Sequence, residues 1–195
     1  MSRARAEMIE DTRARLIASA RQAFATQGYA NTSMDDFTAR AGLTRGALYH
    51  HFGDKKGLLA AVVAQLDSEM DARLQHITDQ ALDPWVGFCE RCRTYLGMAQ
   101  DSEIQRIVLQ DAPAVLGDTG SQQHCVASLR QLLEGLMQAG VIHPAPSQAL
   151  AQLINGSLVS TALWIARNEH PDARLQEGLL GLELLLGGLK LTPTA

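Results

Sequence analysis

Cysteine is scarce and odd in number, three in 195 residues. That argues against a disulfide framework and for a reducing, cytoplasmic setting. Aromatic residues make up only 5% of the chain. Runs of β-branched residues are missing while Ala, Leu and Gln abound, so an all-α class is expected. There is no signal-peptide h-region and no apolar run that reads as long enough to span a bilayer, so no membrane partner is expected. A Walker loop, a G-x-S-x-G elbow and an H-E-x-x-H pair are all missing. The expectation is a non-enzyme with no catalytic residue, no metal and no cofactor. The string Asp118-Thr119-Gly120-Ser121 matches an aspartic-protease motif, but it falls between helical segments and has no second copy, so it reads as a turn. His50 and His51 are adjacent, which sends them to different faces of a helix and makes them poor metal ligands.

The charge is uneven rather than extreme. The formal net charge is −4, yet residues 1–57 hold 9 basic and 6 acidic residues, a balance of +3, and the remainder holds 8 and 15, a balance of −7. A basic head on an acidic body is expected when only one end meets phosphate. The length suits one or two domains with a sizeable core.

The stretch Thr32–Lys56 organises that head. Ser33 is suited to cap a helix whose first turn carries Asp35 and Asp36, where the helix dipole favours negative charge. Met34, Phe37 and Ala41 share one face, and Gly42 is placed to close the helix in a left-handed conformation. Thr44 then caps a second short helix, with Leu48 and Phe52 buried and Gly53 as its stop. This is a helix-turn-helix. Its outward positions suit a DNA groove. Arg45 can take guanine O6 and N7 bidentately. Gly46 and Ala47 let backbone and sugar-phosphate approach, and Tyr49, His50 and His51 present polar tips. Asp54 caps the following helix, whose first turn carries Lys55 and Lys56 beside free backbone N–H groups, a phosphate clamp. The candidate DNA contacts are therefore Ser33, Thr44, Arg45, Gly46, Ala47, Tyr49, His50, His51 and Lys55.

The run L-T-R-G-A-L-Y-H-H-F-G-D-K-K-G-L-L from Leu43 to Leu59, preceded by G-Y-A-N-T-S-M-D-D-F-T-A-R-A-G, resembles the signature of the TetR/AcrR family of transcriptional regulators. The resemblance covers roughly Arg13 to Val63. It implies an all-α homodimer, with an N-terminal three-helix DNA-binding domain at 1–56 and a C-terminal helical ligand-binding and dimerisation domain at 57–195. The implied partners are double-stranded, palindromic operator DNA, a second copy of the chain and a small-molecule effector.

Beyond the head, helical periodicity runs from Asp54 to about Ala81, long enough to link head and body. Asp83-Pro84 starts another helix, and Pro113 interrupts a short one from Glu103 to about Asp111. Further helices follow over about 122–139, 147–168 and 172–190. Leu175, Leu179, Leu182 and Leu186 repeat at heptad spacing and, with Leu150, Ile154 and Leu158 of the preceding helix, form the expected dimer seam. Trp85, Phe88, Cys92, Tyr95, Met137 and Trp164 are the candidate lining of an apolar effector pocket. Cys89 and Cys92, three apart on one helix face, offer the alternative of a metal- or thiol-redox-responsive regulator.

Overall fold

The computed structural model describes residues 3–117 and 121–191, so Asp118, Thr119 and Gly120 of the D-T-G-S string lie outside the described residues. Among the described residues the structure is helical. The one β feature is an isolated antiparallel bridge between Ile142 and Lys190. The helices are α1 (Arg3–Gln27), α2 (Met34–Ala41), α3 (Arg45–Phe52), α4 (Lys55–Gln80) and α5 (Pro84–Met98). A π-helix (Ile104–Asp111) follows, then α6 (Ala112–Leu116), α7 (Ser121–Gln138), α8 (Ser147–Ala166) and α9 (Pro171–Gly187).

Two compact units emerge: Met1–Ser68 with Ser102–Asp118, and Glu69–Asp101 with Thr119–Ala195. This departs from the expected division at residue 56/57 in two ways. The boundary falls inside α4, and the segment 102–118 belongs to the first unit rather than to the C-terminal one. Side-chain chemistry accounts for the second difference. Arg21 donates to both carboxylate oxygens of Glu103 at 2.7 and 2.8 Å. The N–H of Tyr29 donates to Asp111 at 2.8 Å. Ile107 and Ala112 are buried in the same core as Leu16, Phe24, Phe37, Leu48 and Leu59.

The π-helix also replaces the expected α-helix. The N–H of Ala112 reaches back five residues to the carbonyl of Ile107. Pro113, which lacks an N–H and whose ring crowds the carbonyl four residues earlier, sits in the first turn of α6 instead of ending the run. Wider turns ahead of a proline relieve that crowding.

In the second unit α7 packs on α8, and α5, α8 and α9 pack on one another. The core is Phe88, Cys92, Leu96, Val126, Leu129, Leu133, Leu136, Ile154, Leu158, Leu175 and Leu182. By length and composition α8 could cross a membrane, with a mean hydropathy of 1.4. This corrects the expectation that no segment was apolar enough. The physical reason is that α8 is apolar on two sides. Ala151, Ile154, Leu158, Ala162 and Ile165 point inward, while Leu153 and Trp164 point outward. Its first residue, Ser147, donates its hydroxyl to Glu134 at 2.8 Å and ties α8 to α7.

Candidate nucleic-acid interface

Local sequence chemistry sets each side chain of the α2–α3 surface. Ser33 has extended backbone, its hydroxyl accepts from the N–H of Asp36, and its own N–H donates back to the Asp36 carboxylate at 2.9 Å. This reciprocal capping box satisfies two donors that a helix start would otherwise leave open. The hydrogen bonds from Ser33 hold the Asp36 carboxyl below the usual carboxylate range. Gly42 closes α2 at φ 63°, a conformation that costs a residue with a Cβ roughly 1–2 kcal/mol. Thr44 caps α3, accepting from the N–H of Ala47 at 3.3 Å.

Phe37 and Leu48 anchor the two helices. Both are fully buried, and Phe37 meets Phe24 of α1 edge to face at 5.1 Å. Arg15 donates to the last carbonyl of α2, Ala41, at 2.7 Å. With the inner face fixed, the outer face of α3 presents Arg45, Gly46, Tyr49 and His50 to solvent, with Ala47 and His51 half-buried. All nine candidate contacts thus lie on α2–α3 or the start of α4, with Ser33 and Thr44 using their hydroxyls as caps.

Two features were not foreseen. Arg45 Nε lies 2.5 Å from Asp35 Oδ1, and both side chains are more than 60% exposed. The latch joins α3 to α2 across the turn, so a base edge must compete with Asp35 for the guanidinium. Lys55, expected to grip phosphate, instead rests its Nζ 4.3 Å above the ring of Tyr29. Burial lowers the Lys55 pKa, against the opposing pull of Asp111 and Asp36. Lys56 is exposed and is the freer ammonium. Asp54 caps α4, accepting from the N–H of Gly57 at 2.6 Å. A Cβ at Gly57 would fall 2.0 Å from the carbonyl oxygen of Phe52, so only glycine fits the α3–α4 junction as built.

Residues 16–62 match the bacterial regulatory proteins of the tetR family, and residues 85–189 match the tetracyclin repressor-like C-terminal domain. The chain belongs to the TetR family of transcriptional regulators. It is similar to a TetR-family transcriptional regulator of Pectobacterium atrosepticum, with 59% identity, full coverage of both chains and a TM-score of 0.90. The regulator UidR of Escherichia coli K12 is 32% identical over 190 residues, covering 92% of this chain and 93% of UidR. With TtgR of Pseudomonas putida the match is 38% over 86 residues, and spans only 40% of that protein. TetR-family membership makes DNA binding through the helix-turn-helix the function of the first unit.

The second unit rearranges the expected sites. In the expected dimer seam Ile154, Leu158, Leu175, Leu182 and Leu186 are buried inside the unit, and Leu150 and Leu179 are half-buried. Five of the seven thus serve the unit's own core, while Leu150 and Leu179 stay partly open. The apolar residues that do face solvent on the same helices are Leu153, Trp164, Leu180, Leu184 and Leu185, from 41% to 82% exposed.

The six expected pocket residues do not come together. Phe88 and Cys92 are buried in the core, and Tyr95 and Met137 are half-buried. Trp85 stacks on Phe88 at 6.1 Å and lines a groove of about 280 Å³ with Cys89, Arg93 and Leu186. Trp164 lines a different groove, of about 410 Å³, between α8 and α9, with the Arg174 guanidinium 4.5 Å above its ring.

Burial raises the Cys89 thiol and pushes Cys92 up to about 12. The thiolate is the form that binds soft metals and reacts with oxidants, so this pair is poorly set for either. Among the described residues no three His, Cys, Asp or Glu side chains cluster as a metal site.

Proposed function

We propose that this chain is a homodimeric cytoplasmic repressor that binds a palindromic operator and is released by a small molecule held in its second unit. The observation that carries the reading is the surface of α3, capped by Thr44, pinned from behind by Leu48 and open to solvent at Arg45, Tyr49 and His50. One such helix reads one half-site, and a two-fold pair reads two half-sites a helical turn apart.

The second copy is proposed to dock on the outward face of α8 and α9. Leu153, Trp164, Leu180, Leu184 and Leu185 form an apolar surface there, and Ser157, Ser160, Gly178 and Gly181 line the shallow groove between the two helices. Small residues let helices approach closely, and an exposed apolar patch is a hallmark of an association surface. The effector acts through α4, which supplies residues to both units. A ligand that favours one position of α4 alters the spacing of the two recognition helices and mis-sets them against successive major grooves.

The test is to purify the protein, select fragments from its own genome on it, and sequence them. Enrichment of an inverted repeat, bound by a dimer in light scattering, supports the reading. Enrichment of single unrepeated sites by a monomer overturns the dimer, and no enrichment of any sequence overturns specific operator binding.

A further inference from the structure

The groove of about 280 Å³ beside Trp85 lies between α5 and α9, within the second unit. Trp85, Cys89 and Arg93 line it from α5, and Leu182, Leu186 and Gly187 from α9. Leu182 also lines the α8–α9 groove, together with Gly178, Gly181 and Leu185. At 3.6 residues per turn those three fall on the other side of α9 from Leu186 and Gly187. The α5–α9 groove is therefore separate from the groove on which the second copy is proposed to dock.

Most of the charges around it are already engaged. Arg93 donates to Glu183 at 2.9 Å and lies 3.5 Å from Glu90. Asp83 accepts from the N–H groups of Trp85 and Val86. Burial raises the Cys89 pKa, so the thiol adds no negative charge at neutral pH. Lys190 is the exception. Its Nζ stands 5.9 Å from the centre of the Trp85 ring, and among the described residues it has no ion pair. The backbone around it is fixed. The N–H of His143 donates to the carbonyl of Leu189 at 3.0 Å, and the N–H of Leu191 donates to the carbonyl of Val141 at 3.1 Å. An aromatic and aliphatic wall thus lies beneath one cation that lacks a counter-charge.

We propose that the α5–α9 groove binds a compact apolar carboxylate, its hydrocarbon body against Trp85, Leu182 and Leu186 and its carboxylate on Lys190. Apolar walls with a few placed polar groups are the usual make-up of a small-molecule site. A neutral molecule gains nothing from Lys190, and an organic cation is repelled by it. The inference deepens the proposed function, on which it rests, by making this ligand the effector. The groove has a route to α4. Gly87, two residues after Trp85, abuts the end of α4: a Cβ there would lie 2.6 Å from Ala81 Cβ and 3.6 Å from Thr78 Cα. A body wedged against Trp85 bears on that junction.

Phenylacetate and phenylacetamide, nearly equal in shape, are titrated calorimetrically into the full-length protein. Phenylacetate is expected to bind about threefold tighter, the gain of an exposed ion pair. Lys190→Gln should erase that margin and leave phenylacetamide unchanged. Gly187→Leu should abolish binding of both. Gly187 is exposed and a Cβ there meets no atom within 4 Å, so the new side chain enters the groove without a clash. Gly181→Leu, equally unobstructed but on the α8–α9 groove, should leave both affinities unchanged.

Equal binding of the two probes, a margin that survives Lys190→Gln, or no binding at all overturns the proposal. Loss of binding in Gly181→Leu in place of Gly187→Leu also overturns it. Phenylacetate should release the selected DNA from the wild type and not from Gly187→Leu. Binding without release overturns the effector role. Release that persists in Gly187→Leu defeats this site and leaves the proposed function standing. A protein that selects no DNA defeats the proposed function, and calorimetry still decides whether the groove takes the carboxylate.

Discussion

On the α2–α3 surface the side chains turned to solvent include Asp35, Arg45, Tyr49, His50 and, at the start of α4, Lys56, whereas α8 and α9 expose Leu153, Trp164, Leu180, Leu184 and Leu185 among polar residues such as Gln152 and Glu183. The first surface is polar and charged, as phosphate and base edges require. The second carries large apolar side chains, which suit the proposed docking of a second copy. Helices α8 and α9 are also the more apolar pair. What differs is how many sides of the helix are apolar. Helix α3 buries Leu48, rests Phe52 against the same core and turns polar or small residues outward. Helix α9 buries Leu175, Leu182 and Leu186 and still carries a second apolar side.

The largest expected effect tests that two-sidedness. Leu182→Glu puts a carboxylate into the core of the second unit, where an unpaired charge costs several kcal/mol, so the protein should unfold or aggregate. Leu184→Glu, two residues on and 82% exposed, should leave the melting curve of the monomer unit nearly intact and shift light scattering from dimer to monomer. If Leu182→Glu stays folded and becomes monomeric while Leu184→Glu stays dimeric, the inner and outer sides have been exchanged.

Next in size is Phe37→Ala. The ring is fully buried between α1 and α2, and its removal should destabilise the first unit by about 3–5 kcal/mol. Sequence-specific binding should be lost with it. Retained near-native stability in urea would mean that Phe24 and its neighbours collapse into the space.

On the polar surface, Arg45→Ala should cost about 1–3 kcal/mol of specific binding and relax the preference at one position per half-site. Asp35→Ala removes the latch that competes for the same guanidinium, so it should strengthen DNA binding, by about 1 kcal/mol or less for an exposed pair. Lys56→Ala should reduce the salt slope by about one ion per subunit, and Lys55→Ala by less, since Lys55 sits on Tyr29. Gel shifts over a salt series distinguish these. A weaker Asp35→Ala complex would show that the latch positions Arg45 for DNA instead of withholding it.

How far the sequence foretold these features depends on how local their causes are. The caps at Ser33, Thr44 and Asp54 and the turn at Gly42 involve atoms within four residues of one another, so residue order alone reveals them. The Arg45–Asp35 latch depends on how two helices cross after the turn, and the seat of Lys55 depends on where Tyr29 lands. The heptad steps of α9 revealed an apolar stripe correctly, but periodicity does not say which partner covers it. Likewise, helical spacing places Trp85 and Trp164 on faces, and only packing shows that the two line separate grooves. The placement of the π-helix in the first unit rests on the contacts of Glu103 with α1 and of Asp111 with the α1–α2 turn, which span about eighty positions in sequence.

The smallest effect isolates one of those local causes. Hydrogen bonds from the Ser33 hydroxyl and N–H lower the Asp36 carboxyl pKa in the folded protein. The unfolded chain has the ordinary value, about 3.9. A group whose folded pKa is depressed contributes stability that is fully present above the unfolded value and is lost as pH falls through the folded one. The charge on Asp36 therefore helps α2 fully at neutral and mildly acidic pH, and its contribution fades from about pH 4 downward to the folded pKa. Asp36→Asn keeps an oxygen that can accept from the Ser33 N–H but carries no charge. The stability gap between wild type and Asp36→Asn in urea titrations should be largest near pH 6 and close as the pH falls through about 4 toward the folded pKa. Ser33→Ala, which removes the hydroxyl half of the box, should cost about 0.5–2 kcal/mol near neutrality, and should also raise the Asp36 pKa toward its ordinary value. A gap between wild type and Asp36→Asn that stays constant down to strongly acid pH would mean that the cap acts through shape and hydrogen bonding alone, with no contribution from the carboxylate charge.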